Sequence, residues 1–92
     1  MDRENLTVDQ VAEYLATHPM VTANWFGRTG RAERSTWIDR DGSGWKVWDT
    51  DERGVVMDFM TLRTESEAEA LDAFLRRAEH HRDLDKTATR RV

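Results

Sequence analysis

A chain of 92 residues with 38% hydrophobic content, a net charge of −4 and no cysteine reads as one small domain with a single core. The missing cysteine excludes a disulfide framework and a thiolate metal site, and the acidic balance argues against a general nucleic-acid binder, which is normally basic. No window reaches the length of a membrane span, and the opening MDRENLTVDQ holds no apolar run, so the expectation is a cytoplasmic protein without a secretory signal.

In chain order, the first element is a helix over Leu6–Thr17. Thr7 with Gln10 has the spacing of a capping box, and Leu6 with Val11 that of a hydrophobic staple. Val8, Val11, Ala12 and Leu15 form one apolar stripe, and Pro19 ends the helix by pushing His18 toward extended geometry. Val21–Phe26 alternates and predicts a first strand, followed by a basic loop, Gly27–Arg31.

The central stretch runs from Trp37 to Met60 and holds three of the four tryptophans. It predicts three antiparallel strands. The turn Asp41-Gly42-Ser43-Gly44 sets Trp37 opposite Trp48, Ile38 opposite Val47 and Asp39 opposite Lys46, three favourable cross-strand pairs. A second turn, Glu52-Arg53-Gly54, fits a three-residue loop ending in a left-handed glycine. It would set Val47 opposite Phe59, Trp48 opposite Asp58 and Asp49 opposite Met57. Alternation then divides the side chains between two faces. One is the core face, with Ile38, Trp45, Val47, Val55, Met57 and Phe59, and with Asp49 near its margin. The other carries Trp37, Trp48, Val56 and Met60 among Asp39, Lys46 and Asp58.

A capping box at Thr64 and Glu67 opens a last helix reaching about Arg82, with Ala68, Leu71, Phe74, Leu75 and Ala78 as its apolar stripe. Acidic residues crowd its start and Arg76, Arg77, His80, His81 and Arg82 its end, the order that complements the helix dipole. Asp72 and Arg76 add an i,i+4 pair. Residues 83–92 lack apolar periodicity and predict a disordered tail beyond a single α+β domain over 1–82. The fold class is thus a four-stranded antiparallel sheet with an N-terminal and a C-terminal helix, in the order α-β-β-β-β-α.

No residue set carries catalytic chemistry, and the expectation is a non-enzyme without cofactor or metal. Asp39 to Gly44 matches the first half of a calcium loop, yet Lys46 and Thr50 stand where an aliphatic residue and the bidentate Glu belong, and strands flank it. A hairpin turn explains it better. His80 and His81 are adjacent and diverge by about 100° on a helix, so they cannot share one ion. The loop Gly27–Arg31 lacks the Lys-Ser/Thr of a phosphate loop. None of Ser35, Ser43 and Ser66 lies near a histidine or in an elbow motif.

The tryptophans carry the remaining signal. Trp25 and Trp45 read as core. Trp37 and Trp48 share the second face, where either the helix Leu6–Thr17 crosses to cover them or an aromatic patch stays open for a partner. Between Ile38 and Asp58 six acidic residues face three basic ones. That balance suits a basic partner, or a solvated surface that keeps strand edges apart.

Two motifs, one in this stretch and one in the last helix, point to a family. Trp-x-Val-x-Asp-x-Asp-Glu-Arg-Gly (Trp45 to Gly54), and after a strand Ser-Glu-x-Glu-Ala-Leu-x-x-Phe-Leu (Ser66 to Leu75), resemble small immunity proteins of bacterial polymorphic toxin systems. The resemblance spans residues 45–75. It implies a cytoplasmic, non-enzymatic protein that binds one cognate toxin domain and blocks its active site, with no nucleic-acid or membrane partner. The expected contacts are Trp37, Lys46, Trp48, Asp58 and Met60, with Asp49, Asp51 and Glu52 at the rim. A phage or host regulatory inhibitor or adaptor of another enzyme would use the same physics, and a homodimer on the tryptophan face is the structural alternative.

Overall fold

The computed structural model describes residues 3–89. The elements run α1 (Val8–Thr17), β1 (Ala23–Trp25), β2 (Thr36–Asp41), β3 (Gly44–Asp49), a 3-10 turn (Asp58–Met60), β4 (Leu62–Thr64) and α2 (Glu67–Thr89). The strands form one sheet in the order β1-β2-β3-β4. This is an α+β fold with the element order expected from the sequence, but the sheet is mixed: β1 runs parallel to β2. The reason lies in the loop of residues 26–35, which returns the chain to the start of β1. Arg31 N–H donates to the Val21 carbonyl and Thr36 N–H to the Thr22 carbonyl. Asn24, fully buried, accepts from Gly30 N–H and donates to the Arg31 carbonyl. A chain carried back to its starting level before pairing must pair in parallel, because a tight hairpin is no longer available.

The β2–β3 hairpin has the expected register, Trp37 with Trp48, Ile38 with Val47 and Asp39 with Lys46. Its loop is tighter than expected, because Asp41 pairs directly with Gly44. Gly44 must be glycine because a Cβ there would collide with the Thr64 carbonyl of β4.

The third strand departs from expectation. It starts in the expected register, with Thr50 bridged to Val56 and Met57 N–H donating to the Asp49 carbonyl at 2.9 Å. Gly54 takes the left-handed conformation at φ +78. Asp58–Met60 then leaves the ladder as a 3-10 turn, and the chain rejoins with Leu62 opposite Val47 in place of Phe59, a shift of three residues (59 to 62). Leu62 packs against the core in the position expected for Phe59, which is left 85% exposed.

Both helices cover one face. The buried core joins Leu6 and Val11 of the α1 region, Ile38 and Val47 of the sheet, and Leu71, Phe74 and Leu75 of α2. Burying each such side chain is worth about 1.5–3 kcal/mol. Helix α1 has the expected capping box, with Thr7 Oγ1 accepting from Gln10 N–H and Gln10 Oε1 from Thr7 N–H. The cap of α2 lies two residues later than the spacing at Thr64 and Glu67 predicts. Thr64 is held in β4 opposite Trp45, so Ser66 caps instead, accepting from Glu69 N–H at 3.2 Å. At its other end α2 continues to Thr89 where a tail from residue 83 is expected. Asp85 reaches back to Arg31 at 2.8 Å and Thr87 Oγ1 donates to the Asp83 carbonyl. Tertiary anchoring thus extends a helix that its own apolar periodicity does not. Residues 90–92 of the expected tail lie outside the described residues.

Candidate functional site

The second face of the sheet carries the aromatic pair. Alternation along β2 and β3 turns Trp37, Asp39, Lys46 and Trp48 away from the helices. Among the described residues no helix packs over this face, since the buried residues of both helices join the core with Ile38, Trp45 and Val47. The Trp37 and Trp48 rings stack 5.9 Å apart at 12°, and both residues are half-buried. Lys46 places its ammonium 5.1 Å from the centre of the Trp48 ring, a cation–π contact that holds charge beside the pair. Arg63, opposite Lys46 on β4, is drawn toward Asp41 at 3.3 Å. The charges around the tryptophans are therefore mixed instead of acidic throughout.

One end of this face is closed by the loop of residues 26–35. Thr50 Oγ1 donates to the Ala32 carbonyl at 2.6 Å and accepts from the Trp37 indole N–H at 3.4 Å. The ring of Trp37 is thus oriented by a buried threonine, which narrows the conformations available to the stack.

The eight residues expected as contacts do not form one patch. Trp37, Lys46 and Trp48 lie together. Asp51 and Glu52 sit in the turn after β3. Asp51 Oδ1 accepts from Arg53 and Val55 N–H, and the Val55 and Arg53 bonds hold its carboxyl below the usual range. Asp58 is exposed at the start of the 3-10 turn. Met60, expected beside the tryptophans, instead lines a groove along α2 because the 3-10 turn carries it off the ladder.

Asp49 is not at the rim. It is 0% exposed, under α2, with three donors on its carboxylate. Thr36 Oγ1 donates to Oδ1 at 2.6 Å, His81 Nε2 lies 3.0 Å from Oδ1, and Arg77 Nη1 donates to Oδ2 at 3.0 Å. Arg77 also donates to the Met60 carbonyl. Burial is the largest influence on this carboxyl and acts to raise its pKa. The bonds from His81 and Thr36 and the charge of Arg77 outweigh it, so the net direction is down. Chemically the cluster is a clamp: it ties β3 to α2 and fixes the 3-10 turn through Met60. Arg77 and His81 stand four residues apart on the same side of α2. A carboxylate at a core-facing strand position demands such partners, and that demand is the signal by which the sequence could have named them.

The groove is the feature that pattern reading missed. Two cavities of about 470 Å³ and 390 Å³ adjoin at Met57, His81 and Leu84. Met57, Met60 and Leu84, from two distant stretches of chain, supply the apolar side chains of the walls, set among charged and polar residues of α2 and of the turn after β3. No family model, curated protein or solved structure matches this chain.

Proposed function

We propose that this protein is a non-enzymatic inhibitor that neutralises one cognate protein by covering its active site, as the resemblance to small immunity proteins implies. The observation that carries the reading is the stacked Trp37–Trp48 pair, half-exposed on a sheet face free of helix and held in orientation by Thr50. Preorganised aromatic anchors contribute to binding out of proportion to their number, because little rotamer freedom is lost on association. Lys46 and Arg63 beside Asp39 and Asp41 form a mixed polar surround for that anchor. The protein works in the cytoplasm and takes one protein partner, with no nucleic acid and no membrane surface involved.

The test is purification of tagged protein from its native host, identification of a stoichiometric partner, and titration of that partner with the wild type and Trp48→Ala. The variant is expected to weaken binding by about 2 kcal/mol or more while its circular dichroism spectrum stays unchanged. Undiminished binding, or loss of the fold, removes the tryptophan face as the binding surface.

A further inference from the structure

Lys46 stands in the middle of the tryptophan face, between Asp39 on β2 and Arg63 on β4. Its charged neighbours are engaged elsewhere. Arg63 is drawn to Asp41, and Asp39 Oδ1 accepts from Arg40 N–H at 2.8 Å. Lys46 does not meet the carboxylate that the register sets opposite it. Among the described residues no ion pair or hydrogen bond holds its ammonium, which lies 5.1 Å from the centre of the Trp48 ring. A cation turned from its cross-strand carboxylate onto an aromatic ring keeps its three N–H donors for solvent.

That position constrains any partner. A surface seated on Trp37 and Trp48 also covers the ammonium beside them, because Lys46 is already half-buried and its head lies against one of the two stacked rings. Covering it strips its water. The loss is tolerable where the incoming surface supplies acceptors, and a carboxylate supplies them together with the opposite charge.

We infer that the protein surface bound by the tryptophan face carries an Asp or Glu carboxylate that pairs with Lys46, next to an apolar side chain that lies on the indole stack. The inference rests on the reading of Trp37 and Trp48 as the binding anchor, and it adds the chemistry of the partner. The complement is one carboxylate within a protein surface, not a polyanion. Asp39 and Asp41 stand in the same patch, and the chain carries a net charge of −4. A nucleic-acid backbone laid across Lys46 would therefore meet repulsion beside it.

Random peptides displayed on phage and panned against the immobilised full chain test it. The wild type is expected to enrich peptides with Asp or Glu at a fixed spacing from an aromatic or aliphatic residue. Lys46→Met keeps the apolar stem and removes the charge, so it should enrich apolar peptides without the acidic position. With one enriched peptide made synthetically, Lys46→Met and conversion of the peptide carboxylate to its amide should each weaken binding about tenfold. Together they should cost no more than either alone, as the two halves of one ion pair do. Enrichment without a carboxylate overturns the inference. So do losses that multiply in the double change, a wild type that enriches nothing, or a single-stranded oligonucleotide that displaces the peptide. Failure of the tryptophan face itself reads differently. Acidic peptides that bind Trp48→Ala undiminished remove the anchor, whereas neutral peptides that still need Trp48 leave the anchor in place and remove only its carboxylate partner.

Discussion

Asp49 shows what one buried charge demands of its surroundings. A carboxylate under a helix loses its hydration, and the loss is tolerable when every oxygen is satisfied. Thr36, Arg77 and His81 do this from two elements far apart in sequence. Asp49→Ala should therefore lower stability by about 3 kcal/mol, the range for breaking a buried pair, since it removes the carboxylate that compensates the charge of Arg77; chemical denaturation at neutral pH measures this. The pH dependence follows from the lowered pKa of the folded carboxyl. On acidification the unfolded chain takes up this proton first, near pH ~4. The stabilisation is whole above that value and declines as pH falls through the folded pKa. Asp49→Asn, less stable than the wild type at neutral pH, should lose less further stability on acidification. Parallel losses in the two proteins would show that the acid sensitivity arises elsewhere. Trp45 is the contrasting residue: its indole N–H is buried with no hydrogen-bond partner among the described residues, and the Arg40 guanidinium lies 4.7 Å from its ring centre.

At the scale of elements, the start of α2 shows local code yielding to pairing. The run Thr64-Glu65-Ser66-Glu67-Ala68-Glu69 contains two overlapping capping signatures, Thr64 with Glu67 and Ser66 with Glu69. The first is vetoed because Thr64 belongs to β4, where its carbonyl lies against Gly44. Ser66→Ala should cost about 1 kcal/mol, read as a shift in the denaturation midpoint at constant slope. An unchanged midpoint would return the cap to Thr64. The stripe along α2 was legible from periodicity, with one exchange: Ala70 is buried where Ala68 was expected, and Leu71, Phe74, Leu75 and Ala78 are buried as the spacing predicts. The third strand was legible for its first pair alone. Asp51 closes its turn through bonds from Arg53, Gly54 and Val55, and beyond it the ladder competes with the Arg77 bond to the Met60 carbonyl, a residue no local pattern brings near.

For the whole molecule, α2 is the organising element. It packs against all four strands and against α1, so no part of the sheet keeps a covered core once the helix detaches. Unfolding should accordingly be one cooperative transition, with tryptophan fluorescence, which reports the sheet, and far-ultraviolet circular dichroism, dominated by the helices, giving coincident curves in denaturant. A fluorescence change preceding the loss of helix would show that the sheet opens separately. The same arrangement makes the molecule two-sided. One face is occupied by helices, with the Met57–Leu84 groove at its margin, and the other presents Trp37 and Trp48.

The α+β class, the element order, the α1 cap, the β2–β3 register and the pairing of the two exposed-face tryptophans were all determined by sequence, because each depends on interactions within a few residues or across one tight turn. The direction of β1, the expulsion of Asp58–Met60 from the ladder, the burial of Asp49 and the groove between Met57 and Leu84 were decided by tertiary structure. Each of these depends on a bond between residues that the chain separates widely: the loop of residues 26–35 returning to Val21, or α2 reaching β3 and the 3-10 turn through Arg77 and His81. Local periodicity encodes which side of an element is apolar, and it does not encode which distant polar group will satisfy a buried one.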